Sequence, residues 1–203
     1  VEIYISQIGE IFNFSKDVEF PIYVFQKPDV NVMESDGITK DGIHIIIGLQ
    51  ANFKIQQYLR NRMINVVKTE DQIFDVFNND ADQSLLKNSF EDVFDKSISS
   101  GSNGWTVYGS KKPNNQAYRI TNVYNAVFVY DEDQDFSSSI SINPVKMKSF
   151  DVKKNFYKMS ARYSGHPKLE IKSDILSKIE TIHTSGERKK RPRTKISNNV
   201  IEI

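Results

Sequence analysis

Gly42-Ile43-His44-Ile45-Ile46-Ile47-Gly48 is the stretch whose reading decides the fold. Its interior is apolar and β-branched apart from one imidazole, and a glycine closes it at each end. That pattern predicts a short strand covered on both faces. Lys40 stands four residues before His44. If the strand reaches back that far, Lys40, Gly42 and His44 share a face, because side chains in a strand point the same way at i, i+2 and i+4. Gly42 then leaves room for a ligand to approach the backbone, between a lysine and an imidazole suited to a triphosphate. Taken alone, His44 reads equally well as a core imidazole bonded to a backbone carbonyl.

Outward from this strand, the periodicity alternates between helix and sheet. Ile3, Ile5, Ile8, Ile11 and Phe12 predict a helix over 1–14, and residues 21–26 (PIYVFQ) predict a strand stopped by Lys27-Pro28. Phe53, Ile55, Tyr58, Leu59, Met63 and Val66 predict a helix over 52–67. Thr69 with Gln72 resembles a capping box for a short helix through Phe77, and Ser84 is placed to cap another through Val93. Between 105 and 130, WTVYG, YRITNVY and AVFVY alternate aromatic and β-branched residues with turn formers, which predicts antiparallel strands. Residues 131–139 (DEDQDFSSS) read as an acidic loop, and Ile175, Leu176, Ile179 and Ile182 predict a last short helix. The fold class expected is α+β.

Composition excludes more than it identifies. The 203 residues carry 27 Lys and Arg against 26 Asp and Glu, a net charge of +1, so any affinity for nucleic acid must come from local patches. With no cysteine, disulfides and Cys-ligated zinc are excluded. No apolar run reaches the roughly 20 residues of a membrane span, and no signal-peptide pattern opens the chain, so the expectation is a soluble, intracellular protein with no membrane partner. The densest patch is 188–195 (RKKRPRTK), where Arg188, Lys189, Lys190, Arg191 and Arg193 suit either a solvated linker or contacts to nucleic-acid phosphates.

Two further stretches carry chemistry. Phe94-Asp95 ends an apolar run with a carboxylate, a helix-end acid or a hard oxygen ligand for magnesium or manganese. Gly109-Ser110-Lys111-Lys112 offers a glycine that admits a phosphate to the backbone, a hydroxyl donor and two cations. It is not a GxxxxGK[ST] loop, and alone it reads as a surface turn. Trp105, Tyr108, Tyr118 and Tyr124 could stack bases, although their strand spacing favours core packing.

In combination, Lys40-Asp41-Gly42-Ile43-His44-Ile45-Ile46-Ile47, Val93-Phe94-Asp95-Lys96-Ser97 and Asn103-Gly104-Trp105-Thr106-Val107-Tyr108-Gly109-Ser110-Lys111-Lys112-Pro113-Asn114 resemble the primase-polymerase domain of primase-helicases from large nucleocytoplasmic DNA viruses, members of the archaeo-eukaryotic primase superfamily. The likeness runs from about Tyr23 to Tyr124. It implies a primase-like catalytic core with an RRM-like sheet, the His44 strand in one lobe and the region from Asp95 to Tyr130 in another, facing a shared cleft. It implies that His44 and Asp95 are catalytic, that Asp95 binds Mg2+ or Mn2+, and that Lys40, Gly42, His44, Ser110, Lys111 and Lys112 bind the incoming nucleotide. The family's arginine between aspartate and lysine is not matched, Ser102 and Asn103 standing there. The family's first motif, two aspartates separated by one residue, is not found before Lys40; Asp131-Glu132-Asp133 and Asp133-Gln134-Asp135 have that spacing but follow the third motif. The resemblance thus implies a core truncated at its N-terminus, with the pair upstream of Val1, and a fragment inactive alone. Residues 1–150 are expected to form the partial core and 151–203 an extension or linker. The implied function is template-directed primer synthesis in DNA replication. Its partners would be nucleoside triphosphates, a single-stranded DNA template and a helicase domain of the same parent chain, at a viral replication site in the host cytoplasm or in the nucleus. The alternative is a non-catalytic nucleic-acid-binding module on the same fold.

Overall fold

Ile5, Ile8 and Ile11 recur along one face of α1 (Glu2–Ile11), and all three are buried. The structure is a computed structural model that describes residues 1–15, 18–29, 31–33, 38–40, 42–69, 89–99, 108–111, 115–130 and 138–182, with backbone only at 31–33, 38–40, 130, 138 and 139. After β1 (Phe12–Asn13) the chain enters β2 (Glu19–Gln26), where strand alternation sorts the apolar residues between two layers. Phe20 and Ile22 pack with α1, while Tyr23 and Phe25 pack on the opposite face.

β3 (Asn31–Met33) and β4 (Ile38–Lys40) pair with each other, and β5 (Ile43–Ile47) returns beside β2 with Phe25 opposite His44. α2 (Phe53–Thr69) begins at Asn52, whose side-chain oxygen accepts the Ile55 N–H at 3.0 Å. The short helices α3 (Phe90–Val93) and α4 (Lys96–Ser99) precede β6 (Arg119–Tyr130) and β7 (Ser138–Pro144). α5 (Val152–Asn155), β8 (Glu170–Ile171) and α6 (Ser173–Glu180) complete the order.

The main sheet runs β5-β2-β6-β7, antiparallel throughout, and β8 pairs with β1. One buried layer joins α1, Ile55 of α2 and Ile175 and Ile179 of α6 to Phe20, Ile22 and Ala126; the other joins Tyr23, Phe25, Ile46, Val123 and Met159. Helices with an antiparallel sheet make the protein α+β. Residues beyond 150 belong to this packing, through Met159, Ile175, Ile179 and the β8 pairing.

The Gly42–Gly48 stretch is covered on both faces, Ile45 and Ile47 packing against one buried layer and Ile46 lying in the other, and among the described residues its one strand neighbour is β2. A continuous apolar run signals burial without saying how many neighbours a strand has. Several sequence expectations change. The His44 strand and the strand ending at Tyr130 do not lie in two facing sheets, because both flank β2 in one sheet. YRITNVY and AVFVY form one 12-residue strand. Asn125 does not break it, since its side-chain amide donates to Glu19 Oε2 at 3.0 Å. Between Val24 and Phe25 the register shifts by one residue, leaving Thr121 of β6 as the extra residue of a bulge.

Thr69 is the last residue of α2, and its hydroxyl donates to the Asn65 and Val66 carbonyls. The helix expected through Phe77, the cap at Ser84, residues 105–107 and residues 131–137 of the loop expected over 131–139 lie outside the described residues, while the last two residues of that loop, Ser138 and Ser139, open β7 by pairing with Tyr130 and Val129. The described helix reaching Val93 is capped by Ser89 in a capping box with Asp92.

Candidate functional site

A cleft of about 1420 Å³ is lined by all five residues of β5, together with residues of α1 and α2. His44, two residues before buried Ile46, projects to the same face as Ile46. Its imidazole stacks on the Tyr118 ring at 3.7 Å between centroids and 18° between planes. The Lys27 ammonium lies 5.5 Å from the centre of the same ring and donates to Asn115 Oδ1 at 3.5 Å. At Gly42 a Cβ would stand 3.0 Å from the Tyr118 hydroxyl, so the missing side chain is what admits the tyrosine above His44.

Lys40 does not share a strand with His44. It closes β4 opposite Asn31, and β5 starts afresh at Ile43, so spacing by alternation does not carry across. Its side chain is outside the description.

Asp95 stands between α3 and α4 on the cleft's other wall. Its carboxylate accepts the Ser97 N–H at 2.8 Å and the Ser97 hydroxyl at 2.7 Å, holding the first turn of α4. Arg60 of α2 anchors the turn from behind: Nε donates to the Phe94 carbonyl at 2.5 Å and Nη2 to the Glu91 carbonyl at 2.9 Å. Tyr4 packs against Phe94 with ring centres 6.2 Å apart, and burial pushes its hydroxyl up to about 12 against the opposing effect of Arg60. At the surface, Lys68 bonds Glu91 at 3.1 Å, and this hydrogen bond holds the Glu91 carboxyl below its ordinary value. The Ser89 hydroxyl does the same for Asp92.

Ser110 and Lys111 enter the cleft from the turn at Gly109, whose φ of +81° lies in the left-handed region that glycine adopts without strain. Lys112 lies outside the described residues, as do Arg188, Lys189, Lys190, Arg191 and Arg193. The structure thus brings His44, Asp95, Ser110 and Lys111 to one cleft.

Sequence reasoning missed Lys27, Arg60, Arg162, His166 and Lys168, which also line it. His166 is buried, its Nε2 lies 3.0 Å from the Lys158 carbonyl, and desolvation lowers its pKa. Gln50 fastens the same loop by donating to the Ser164 and His166 carbonyls at 2.7 and 2.6 Å. None of these residues sits in a pattern that periodicity or motif spacing marks out; Lys27 read only as the stop of a strand.

Among the described lining residues, Lys27, Arg60, Lys111, Arg162 and Lys168 face a single carboxylate, Asp95. Such an excess in a concave surface concentrates anions. Among the described residues no group of three His, Asp or Glu could hold a metal ion. Asp95 fits a hard cation as one oxygen donor, but the described residues do not complete a site, and no step below depends on one. Among the described residues, too, no helix is long and apolar enough to cross a membrane.

No curated protein matches the chain. A family model does, the C962R protein N-terminal AEP domain, over residues 1–124. The match reaches from α1 past the positions of His44, Asp95, Ser110, Lys111 and Lys112, beginning well before Tyr23. With more than half its length matched, the chain belongs to this family of archaeo-eukaryotic primase (AEP) domains.

Proposed function

We propose that this chain is the primase-polymerase domain of a viral primase-helicase, which binds a nucleoside triphosphate in the cleft beside β5 and transfers its nucleotide to a growing primer on single-stranded DNA. The observation that carries the reading is the meeting of His44, Asp95, Ser110 and Lys111 in a cleft with five cationic side chains and one carboxylate. His44, steadied by Tyr118, offers an imidazole N–H to a phosphate oxygen. Ser110 and Lys111, with Lys112 next in sequence, meet the phosphates as well, and Lys40 and Gly42, which precede His44 in sequence, belong to the nucleotide-binding set on this reading. Cations held around the phosphates favour a transition state whose charge spreads over their oxygens. On this reading Asp95 would give one oxygen to a Mg2+ or Mn2+ ion bound with the triphosphate, and the ion would supply charge that offsets the phosphates. The four-stranded sheet would be the family's RRM-like sheet. A helicase domain of the same parent chain and a viral replication site in the host cytoplasm complete the reading.

The single carboxylate among the described lining residues favours a second reading, a nucleic-acid-binding module without catalysis. Primer synthesis on a single-stranded template, together with titration of nucleoside triphosphate, separates the two. On the catalytic reading Asp95→Ala abolishes synthesis. His44→Ala and Lys111→Ala each weaken nucleotide binding by about tenfold to a hundredfold, as expected for loss of a charge-assisted hydrogen bond. Unchanged nucleotide affinity in both variants removes the roles assigned here. A chain that binds oligonucleotide but makes no primer supports the second reading.

A further inference from the structure

Between residues 146 and 172 the chain carries eight lysines and arginines against two acids, Asp151 and Glu170, a local excess that the overall charge of +1 conceals. Among the described residues none of those eight cations forms an ion pair with a carboxylate. A local excess of one sign attracts partners of the opposite sign. The same segment exposes two adjacent aromatic rings, Phe156 at 45% and Tyr157 at 53%, where a soluble surface ordinarily places few.

Both rings are held from behind by contacts that lead to the cleft. Phe156 meets Tyr108 edge-on at 6.4 Å, one residue before the Gly109 turn that carries Ser110 and Lys111. Tyr157 meets Tyr163 edge-on at 5.2 Å, and Tyr163 meets buried His166 at 4.8 Å. Arg162, Tyr163 and Lys168 themselves line the cleft.

We propose that residues 146–172, which lie beyond the family-matched span, form a binding surface for single-stranded nucleic acid that leads into the cleft. Unstacked bases lie on Phe156 and Tyr157, and the backbone phosphates run along the surrounding lysines. A single strand fits better than a duplex because the rings need exposed base faces, which paired and stacked bases do not present. The surface stands on its own charge and aromatics, so failure of nucleotide binding at His44 would leave it intact.

The test is fluorescence anisotropy of a labelled oligothymidylate with the full chain over a series of salt concentrations. Tyr157→Ala is expected to weaken binding by about fivefold to a hundredfold at every salt concentration, with Tyr157→Phe retaining affinity. Lys153→Gln combined with Lys154→Gln is expected to flatten the slope of log affinity against log salt by about 0.7 for each phosphate contact removed. His44→Ala should leave both quantities unchanged while affecting triphosphate binding. Far-UV circular dichroism establishes that each variant is folded. The proposal is overturned if Tyr157→Ala and the lysine pair leave affinity and slope as they were. It is equally overturned if duplex DNA or phosphatidylserine vesicles bind as tightly as the oligonucleotide.

Discussion

The two walls of the cleft are held in place by different physics. His44 lies on a strand fixed along its whole length by β2, from Ile43 opposite Gln26 to Ile47 opposite Ile22, over two buried layers. Asp95 lies between two helices of four residues each, far too short to persist alone. Its position depends on Arg60, which reaches across from α2, and on the two donors of Ser97. Among the described residues, then, one part of the lining is held by a continuous ladder and the other by side-chain hydrogen bonds and the Tyr4–Phe94 ring contact. Regions held by few bonds are drawn from the low-stability end of a fold.

The harshest test of this contrast is Ile22→Ala. Ile22 is fully buried and pairs with both Ile47 and Tyr124, so its truncation should cost about 2–5 kcal/mol in urea unfolding and loosen both walls together. A cost below about 1 kcal/mol would mean that the ladder alone, and not the packed layers, supports the His44 wall. Arg60→Ala should be milder and one-sided. Loss of two bonds at a partly exposed site costs about 1–3 kcal/mol, with faster amide exchange over 94–99 and no change in β5. Equal acceleration on both walls would break the comparison. Smallest of all is Gly42→Ala, which presses a methyl to 3.0 Å from the Tyr118 hydroxyl and requires the ring to give by a few tenths of an ångström. It should cost under about 1 kcal/mol and lower nucleotide affinity a few-fold by tilting Tyr118 off His44. Unaltered affinity would show that the stack does not set the imidazole's orientation.

Much of the fold was legible because burial writes a local period. Ile5, Ile8 and Ile11 announced α1, the apolar run around His44 announced a strand, and Ile175 and Ile179 announced α6. The errors came where neighbours in space decide. Asn125 looked like a break between strands but lies within a single one, paired with Pro21 on one side and Asn143 on the other. Lys40 looked like an extension of the His44 strand but pairs away from it in β4.

By itself, then, the sequence determined the α+β class, the positions of α1, β2, β5, α2, β6 and α6, and the order of motifs that places the chain among archaeo-eukaryotic primase domains. Only the tertiary structure decided that β2 stands between β5 and β6, that Tyr118 covers His44, and that Arg60 holds the turn before Asp95. The division has one physical cause. The period of a helix or strand is set by which side of each residue leaves water, a property of neighbouring residues. The partner of an edge or a guanidinium is chosen by closing loops of tens of residues, as between Arg60 and Phe94, and that choice leaves no period in the sequence.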